Sequence, residues 1–188
     1  MKKKIIKEYI KSDLKRYGVE NYKALPFIVK KELFGYRYSK ILRWTKFYKE
    51  QKNPLFYIYR FILYKLTLKY GIGIPYSVEI GRGFYIGHKG NITINAGVKI
   101  GENVNISQGV TIGYSNAGKC KGTPKIGNNV FIGTNAVVVG GIEIGNDVVI
   151  APNTFVNFDV PDHSVVISQK AGIHHKENAT QYYVENLA

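Results

Sequence analysis

Cysteine is almost absent: Cys120 is the only one in 188 residues. That excludes a disulfide framework and fits a reducing compartment, so a cytoplasmic location is expected. Long hydrophobic runs are missing too. A spanning helix needs about 18 or more consecutive apolar residues, and the densest stretch, 55–70, is broken by Arg60, Lys65 and Lys69. The start, MKKKIIKEYIKSDL, is basic with no apolar segment behind it, so no signal peptide is expected. Acidic residues are scarce in one part only. Residues 1–70 hold 19 Lys and Arg against 5 Asp and Glu, whereas residues 71–188 hold 8 of each. The whole net charge of +14 therefore sits in the first segment.

That segment is also rich in aromatics, among them Tyr36, Tyr38, Trp44, Phe47, Tyr48, Phe56, Tyr57, Tyr59, Phe61 and Tyr64. Three readings compete. The block can be a solvated helical cap. It can lie on an anionic membrane face or meet an anionic, lipid-linked substrate. It can bind nucleic acid, but no nucleic-acid motif accompanies it, so no nucleic-acid partner is expected. Peripheral membrane contact through residues 1–70 is carried forward as an expectation. Ile5, Ile6, Tyr9, Ile10 and Leu14 follow helical spacing, Gly18 is a stop signal, and Pro26 and Pro54 open two further helices, the last running to about Tyr70.

Beyond residue 70 the pattern changes. An isoleucine or valine returns every six residues: Ile74, Ile80, Ile86, then Ile94, Ile100, Ile106, Ile112, then Ile126, Ile132, Val138, Ile144, Ile150, Val156. A small residue usually follows the beat, as at Gly81, Gly101, Gly127 and Gly145. A second apolar residue stands two places before it, as at Val78, Val98, Val104, Val130 and Val148. Residues two apart on a strand share a face. Each unit is thus a short strand with two inward side chains and a tight corner. A fixed hexapeptide period is the signature of a parallel β-helix, whose coils bury their apolar faces only by stacking. The alternative, a β-sandwich with chance spacing, would repeat at about 8–12 residues with variable turns. The expected organisation is a helical basic region over 1–70, a β-helix over 71–168 and a tail over 169–188. A solenoid leaves open strand edges at its ends, which the helical block and the tail are expected to cap.

The beat slips twice, between Ile86 and Ile94 and between Ile112 and Ile126. Extra residues cannot stay within a coil of fixed circumference, so they bulge outward. The first bulge holds Gly87, His88, Lys89, Gly90 and Asn91; the second is the loop Tyr114–Pro124. They are roughly a coil apart and are expected to line one cleft. His88 is the only histidine inside the coil region, residues 74–157; His163, His174 and His175 come after it. A surface histidine is usually incidental. Its place where the scaffold departs from its own rule makes it a candidate general base, because loops on a rigid scaffold carry function. A zinc site needs three converging ligands, which the coils do not offer, so no metal is expected. Cys120 lies in a Gly/Lys loop with no histidine beside it, and is not taken as a nucleophile.

The runs IGRGFYIGHKGNITIN, VNISQGVTIG and PKIGNNVFIGTNAVVVGGIEIG resemble hexapeptide-repeat acetyltransferases of the serine acetyltransferase type, over about residues 70–168 and including both bulges. The resemblance implies a left-handed coil, acetyl-CoA as donor, a homotrimer with sites between subunits, and His88 as general base. It implies Gly113 and Tyr114 near the thioester, with Gly133, Thr134, Ala151, Pro152 and Lys170 along the CoA arm. Gly87, Lys89 and Asn91 would then face the acceptor. Three positions depart from the serine acetyltransferase pattern. Gly73 and Gly87 stand where that family has aspartates, and Gly122-Thr123 stand where it has Arg-His. Those charged groups hold serine or tune the base. The pattern looks closer to relatives that acetylate saccharides of capsular or extracellular polysaccharides, with a lipid-linked acceptor among the forms considered. A small-metabolite acceptor, serine included, and a non-catalytic trimeric scaffold are the rival readings. Glu79, Asn91 or a backbone carbonyl is expected to orient His88.

Overall fold

The computed structural model describes residues 3–168, together with His175 and Glu177. Lys170, expected at a CoA phosphate, lies outside the described residues, as does nearly all of the tail expected to cap the far end.

Helix α1 (Lys3–Lys15) buries Ile6, Ile10 and Leu14, one turn apart each time. The chain turns at Gly18, with φ of 70°, into a short 3-10 segment (Tyr22–Ala24) capped by the Asn21 side chain. Pro26 stands at the start of α2 (Phe27–Glu32), which ends after barely two turns; α3 (Phe34–Glu50) follows at once. The sequence pattern suggested one helix here, and the structure has two. The break at Leu33 frees Phe34 to pack on Tyr70, with ring centroids 5.7 Å apart. Helix α4 (Leu55–Tyr70) opens where Asn53 Oδ1 accepts from the Leu55 N–H at 2.9 Å, and closes on Gly71 in the left-handed conformation, with φ of 64°.

Among the described residues, fourteen short strands then wind a prism with three parallel walls. The first wall stacks β1 (Ile72–Gly73), β4 (Ile92–Ile94), β7 (Thr111–Gly113), β10 (Val137–Val139) and β13 (Phe155–Val156). The second stacks β2 (Glu79–Ile80), β5 (Lys99–Ile100), β8 (Lys125–Ile126) and β11 (Glu143–Ile144). The third stacks β3 (Tyr85–Ile86), β6 (Asn105–Ile106), β9 (Phe131–Ile132), β12 (Val149–Ile150) and β14 (Val165–Val166). Register follows the beat: Ile80 pairs with Ile100 and Ile100 with Ile126, while Ile86 pairs with Ile106 and Ile106 with Ile132. The inward residues form one apolar column that continues into Tyr38, Leu42, Leu63 and Leu66 of α3 and α4. The coil extends one turn beyond the last beat, because Val165 and Val166 stack on Val149 and Ile150.

The corners divide two tasks that sequence alone assigned jointly to glycine. At Gly81, Gly101 and Gly127 the need is space: a Cβ on each would stand 2.5 Å from the carbonyl oxygen of the equivalent residue one coil on. Positive φ is shared, falling to asparagine or aspartate at Asn103, Asn129, Asn135, Asp147 and Asn153 and to glycine at Gly83, Gly109 and Gly140. The short polar side chains of asparagine and aspartate tolerate the left-handed region better than other L-residues.

The open edge of the first coil is closed by side chains from the helices. On the first wall, Tyr38 Oη donates to Ile72 O at 2.9 Å and accepts from Ile74 N at 3.2 Å. On the second, Arg43 donates to Ile80 O at 3.0 Å and Gly81 O at 2.6 Å. On the third, Tyr17 Oη donates to Ile86 O at 3.2 Å and accepts from Ile86 N at 3.1 Å, while Asp13 accepts from Phe84 N at 2.9 Å. These contacts satisfy backbone groups that would otherwise be stranded at a solenoid end. Asp13 and Arg43 also form a two-pronged ion pair at 2.7 and 2.8 Å.

Candidate active site

The bulge 87–91 joins β3 to β4, at the edge between the third and first walls. Its backbone is pinned at three points. Gly87 N donates to Ile106 O at 3.1 Å, Gly90 N to Tyr70 O at 2.9 Å, and Gly90 O accepts from Gly109 N at 2.9 Å. His88 rides between these pins, exposed, and its ring makes no hydrogen bond to another described residue. The expectation that Glu79 orients it does not hold within the chain. Glu79 lies on the second wall, with Lys99 Nζ at 3.8 Å. Asn91 is exposed, and its side chain makes no hydrogen bond to the imidazole. Lys89 lies over the rings of Phe34 and Tyr70, at 5.2 and 5.7 Å from their centroids. Its stem therefore anchors the bulge to the helical cap, and its ammonium is less free for an acceptor than the sequence suggested.

The same edge carries four of the residues assigned to the donor. Gly133 and Thr134 form its corner one coil further than Gln108, and Ala151 and Pro152 the corner after that. Gly109 N donates to Gly90 O at 2.9 Å, Asn135 N to Gln108 O at 3.0 Å, and Asn153 N to Thr134 O at 2.8 Å. A ladder of corner hydrogen bonds thus links the His88 bulge to Pro152. A Cβ on Gly133 would stand 2.7 Å from Pro152 N, so the corners are stacked as tightly as backbone allows. Gln108 was missed by sequence reasoning. Its Oε1 is the one buried side-chain oxygen or nitrogen without a partner among the described residues, and it lies between the bulge and Thr134. Burial of a single amide oxygen leaves no trace in a repeat pattern.

Gly113 and Tyr114 stand elsewhere. They open the loop 114–124, which joins β7 to β8 at the edge between the first and second walls. The two bulges therefore leave the prism at different edges, and coil stacking does not bring them into one cleft as expected. The loop is a small hairpin: Ser115 and Gly122 exchange hydrogen bonds at 2.9 and 3.1 Å. Cys120, half-buried, is held by Gly141 N donating to its carbonyl at 2.8 Å. Thr123 spends its hydroxyl on Gly97 O at 2.9 Å.

The outer faces of the walls differ. The second wall is charged and solvated, with ladders of Glu79, Lys99, Lys125 and Glu143; Lys125 meets Glu143 at 2.7 Å. The other two, which flank the His88 edge, turn out Thr93, Thr111, Val137 and Phe155, and Phe131, Val149 and Val165. A cleft of about 440 Å³ lined by Tyr9, Arg43, Lys46, Tyr76 and Glu79 lies away from His88, in the seam between the helices and the second wall. Among the described residues there is no group of three or more His, Cys, Asp or Glu able to hold a metal ion.

Residues 123–157 match the family described as Bacterial transferase hexapeptide (six repeats). No match was found among curated proteins. Among solved structures the chain is similar to serine acetyltransferase isoform 3 of Entamoeba histolytica, with a TM-score of 0.74 and 25% identity over 94% of this chain and 63% of that one. It is similar to the Neisseria gonorrhoeae serine acetyltransferase, with a TM-score of 0.69 and 26% identity over 90% of this chain and 69% of that one. It also shares the fold of the soybean enzyme, with a TM-score of 0.72 and 22% identity over 87% of this chain and 66% of that one. The chain spans less than two thirds of the Entamoeba enzyme's length. Parallel walls, hexapeptide period and these neighbours together define a left-handed parallel β-helix with a helical N-terminal block.

Proposed function

We propose that this chain is an O-acetyltransferase that moves an acetyl group from acetyl-CoA to an alcohol, with His88 as general base. The observation that carries this is one edge of the prism. It presents an unpaired, exposed imidazole on a pinned bulge, in register with stacked backbone corners at Gly133–Thr134 and Ala151–Pro152. Similarity to serine acetyltransferases along most of this chain supports it.

The chemistry needs no nucleophilic side chain. His88 takes the proton as the acceptor oxygen attacks the thioester carbonyl. The tetrahedral oxyanion is held by backbone N–H groups already in place. Collapse breaks the carbon–sulfur bond, and the imidazolium returns the proton to the leaving thiolate. Gly113 and Tyr114, assigned to the thioester, sit at another edge. A cyclic trimer would bring that edge of one copy against the His88 edge of the next. The apolar outer residues of the two walls beside His88 favour such packing, and the charged second wall would face water.

The comparisons favour a small hydroxy amino acid as acceptor: the Neisseria enzyme is described in complex with serine. A saccharide acceptor is the second reading. It rests on Gly73, Gly87 and Thr123, which offer a zwitterion no charge, and on Thr123 being occupied by Gly97 O. One assay separates them. Free thiol is followed with acetyl-CoA and either L-serine or a panel of saccharides. His88→Ala should lose about 10²–10⁴-fold in rate on the preferred acceptor, with the melting temperature unchanged because the residue is exposed. A variant keeping more than a tenth of the rate would remove His88 from the mechanism. Failure of every alcohol to release thiol would remove the activity.

A further inference from the structure

We propose that α4 docks this protein on an anionic lipid bilayer, through a stripe of apolar side chains rimmed by cations. This stands apart from acetyl transfer and is tested without it.

Helix α4 is apolar on two opposite faces. Leu63, Leu66 and Tyr70 are buried against the rest of the chain. Diametrically across, Tyr57, Phe61, Tyr64 and Leu68 recur with spacings of four, three and four residues and are 74%, 61%, 49% and 63% exposed. At 100° per residue these four fall on one line. Ile58, 57% exposed, widens it. The helix contains Arg60, Lys65 and Lys69 and no acidic residue. Lys65 Nζ lies over the Phe61 ring, 5.4 Å from its centroid, so a cation stands directly against the stripe. Helix α2 adds exposed Phe27 and Ile28 beside Lys30 and Lys31, with Lys31 Nζ 4.7 Å from the Phe27 ring centroid. A groove lined by Tyr22, Arg37, Lys40, Ile41, Ile62 and Leu66 lies between the 3-10 segment, α3 and α4 and adds two more cations beside the helix.

Charge decides what covers the stripe. A second copy packing α4 on α4 would press cation on cation, with no carboxylate on the helix to relieve it. An anionic headgroup layer neutralises the rim while the stripe sinks to the acyl boundary, the arrangement of helices that lie in a bilayer interface. Among the described residues no helix is long and apolar enough to cross a membrane. The contact is therefore one of lying on the surface.

The test uses the full chain and co-sedimentation with phosphatidylcholine vesicles, with or without phosphatidylserine. Wild type should pellet with the anionic vesicles and be released by high salt. Phe61→Ser/Leu68→Ser should weaken partitioning about tenfold per side chain. Lys65→Gln/Lys69→Gln should weaken it about fivefold per charge and flatten the salt dependence. All four side chains are exposed, so circular dichroism melts should match wild type. Equal partitioning to both vesicle types, or variants that bind like wild type, would overturn the proposal. So would wild type that ignores vesicles yet loses a self-association in the serine variant, which would give the stripe to a second copy.

Discussion

Replacing Asp13 by alanine tests whether the helical block closes the solenoid or merely sits beside it. Asp13 is fully buried, and its partner Arg43 is 7% exposed. Burial holds the Asp13 carboxyl above its ordinary value while the guanidinium pulls against it. The carboxylate accepts three hydrogen bonds: two from Arg43, at 2.7 and 2.8 Å, and one from Phe84 N at 2.9 Å. Removing it leaves a buried cation and a buried backbone N–H unpaired. Breaking a buried pair in this way costs about 3–5 kcal/mol. For a chain of this size each kcal/mol moves the melting temperature by about 2–4 °C, so a fall of roughly 6–20 °C is expected. Removing both charges, as Asp13→Ala/Arg43→Met, is often harmless elsewhere. Here it would still strand Ile80 O, Gly81 O and Phe84 N, each costing about 1–3 kcal/mol. The double variant should therefore stay well below wild type. Melts followed at 222 nm, with urea titrations for the free energy, measure both. A single variant within about 2 °C of wild type, less than 1 kcal/mol on that scale, or a double variant fully restored, would refute the view that these side chains complete the first coil.

Two further outcomes follow from the coil itself. Gly101→Ala should destabilise by about 1–3 kcal/mol in urea, because its Cβ would stand 2.5 Å from Gly127 O and backbone cannot move aside; an unchanged midpoint would contradict that packing. His163 Nδ1 lies 2.8 Å from Asp147 Oδ2, and that hydrogen bond, then the carboxylate's charge, raises its pKa above 6.5. Its folded-state pKa being the higher, the contribution is complete below the unfolded value and disappears as pH rises through the folded one. NMR titration should place the His163 midpoint above 6.5, with Asp147→Asn bringing it down; both groups are exposed, so the effect on stability is small.

The six-residue beat alone determined the coil, its inward residues and the two places where it bulges. A stacked repeat contacts only its neighbours, so local sequence carries nearly all its information. Ile80, Ile100 and Ile126 pair as their spacing dictates, and His88 stands out because the period breaks there. The corner asparagines were less legible, since clash and positive φ both read as glycine in sequence. Tertiary structure alone decided three things. It set the edge at which each bulge emerges, which separates Tyr114 from His88. It supplied Tyr17, Tyr38, Asp13 and Arg43 as caps, by hydrogen bonds across 34 to 71 residues that no periodicity encodes. And it chose which apolar face of α4 is buried. With apolar residues on both faces, the helix has no preferred side of its own. Only packing against α3 and the first coil turns Leu63 and Leu66 inward and leaves Phe61 and Leu68 to the outside.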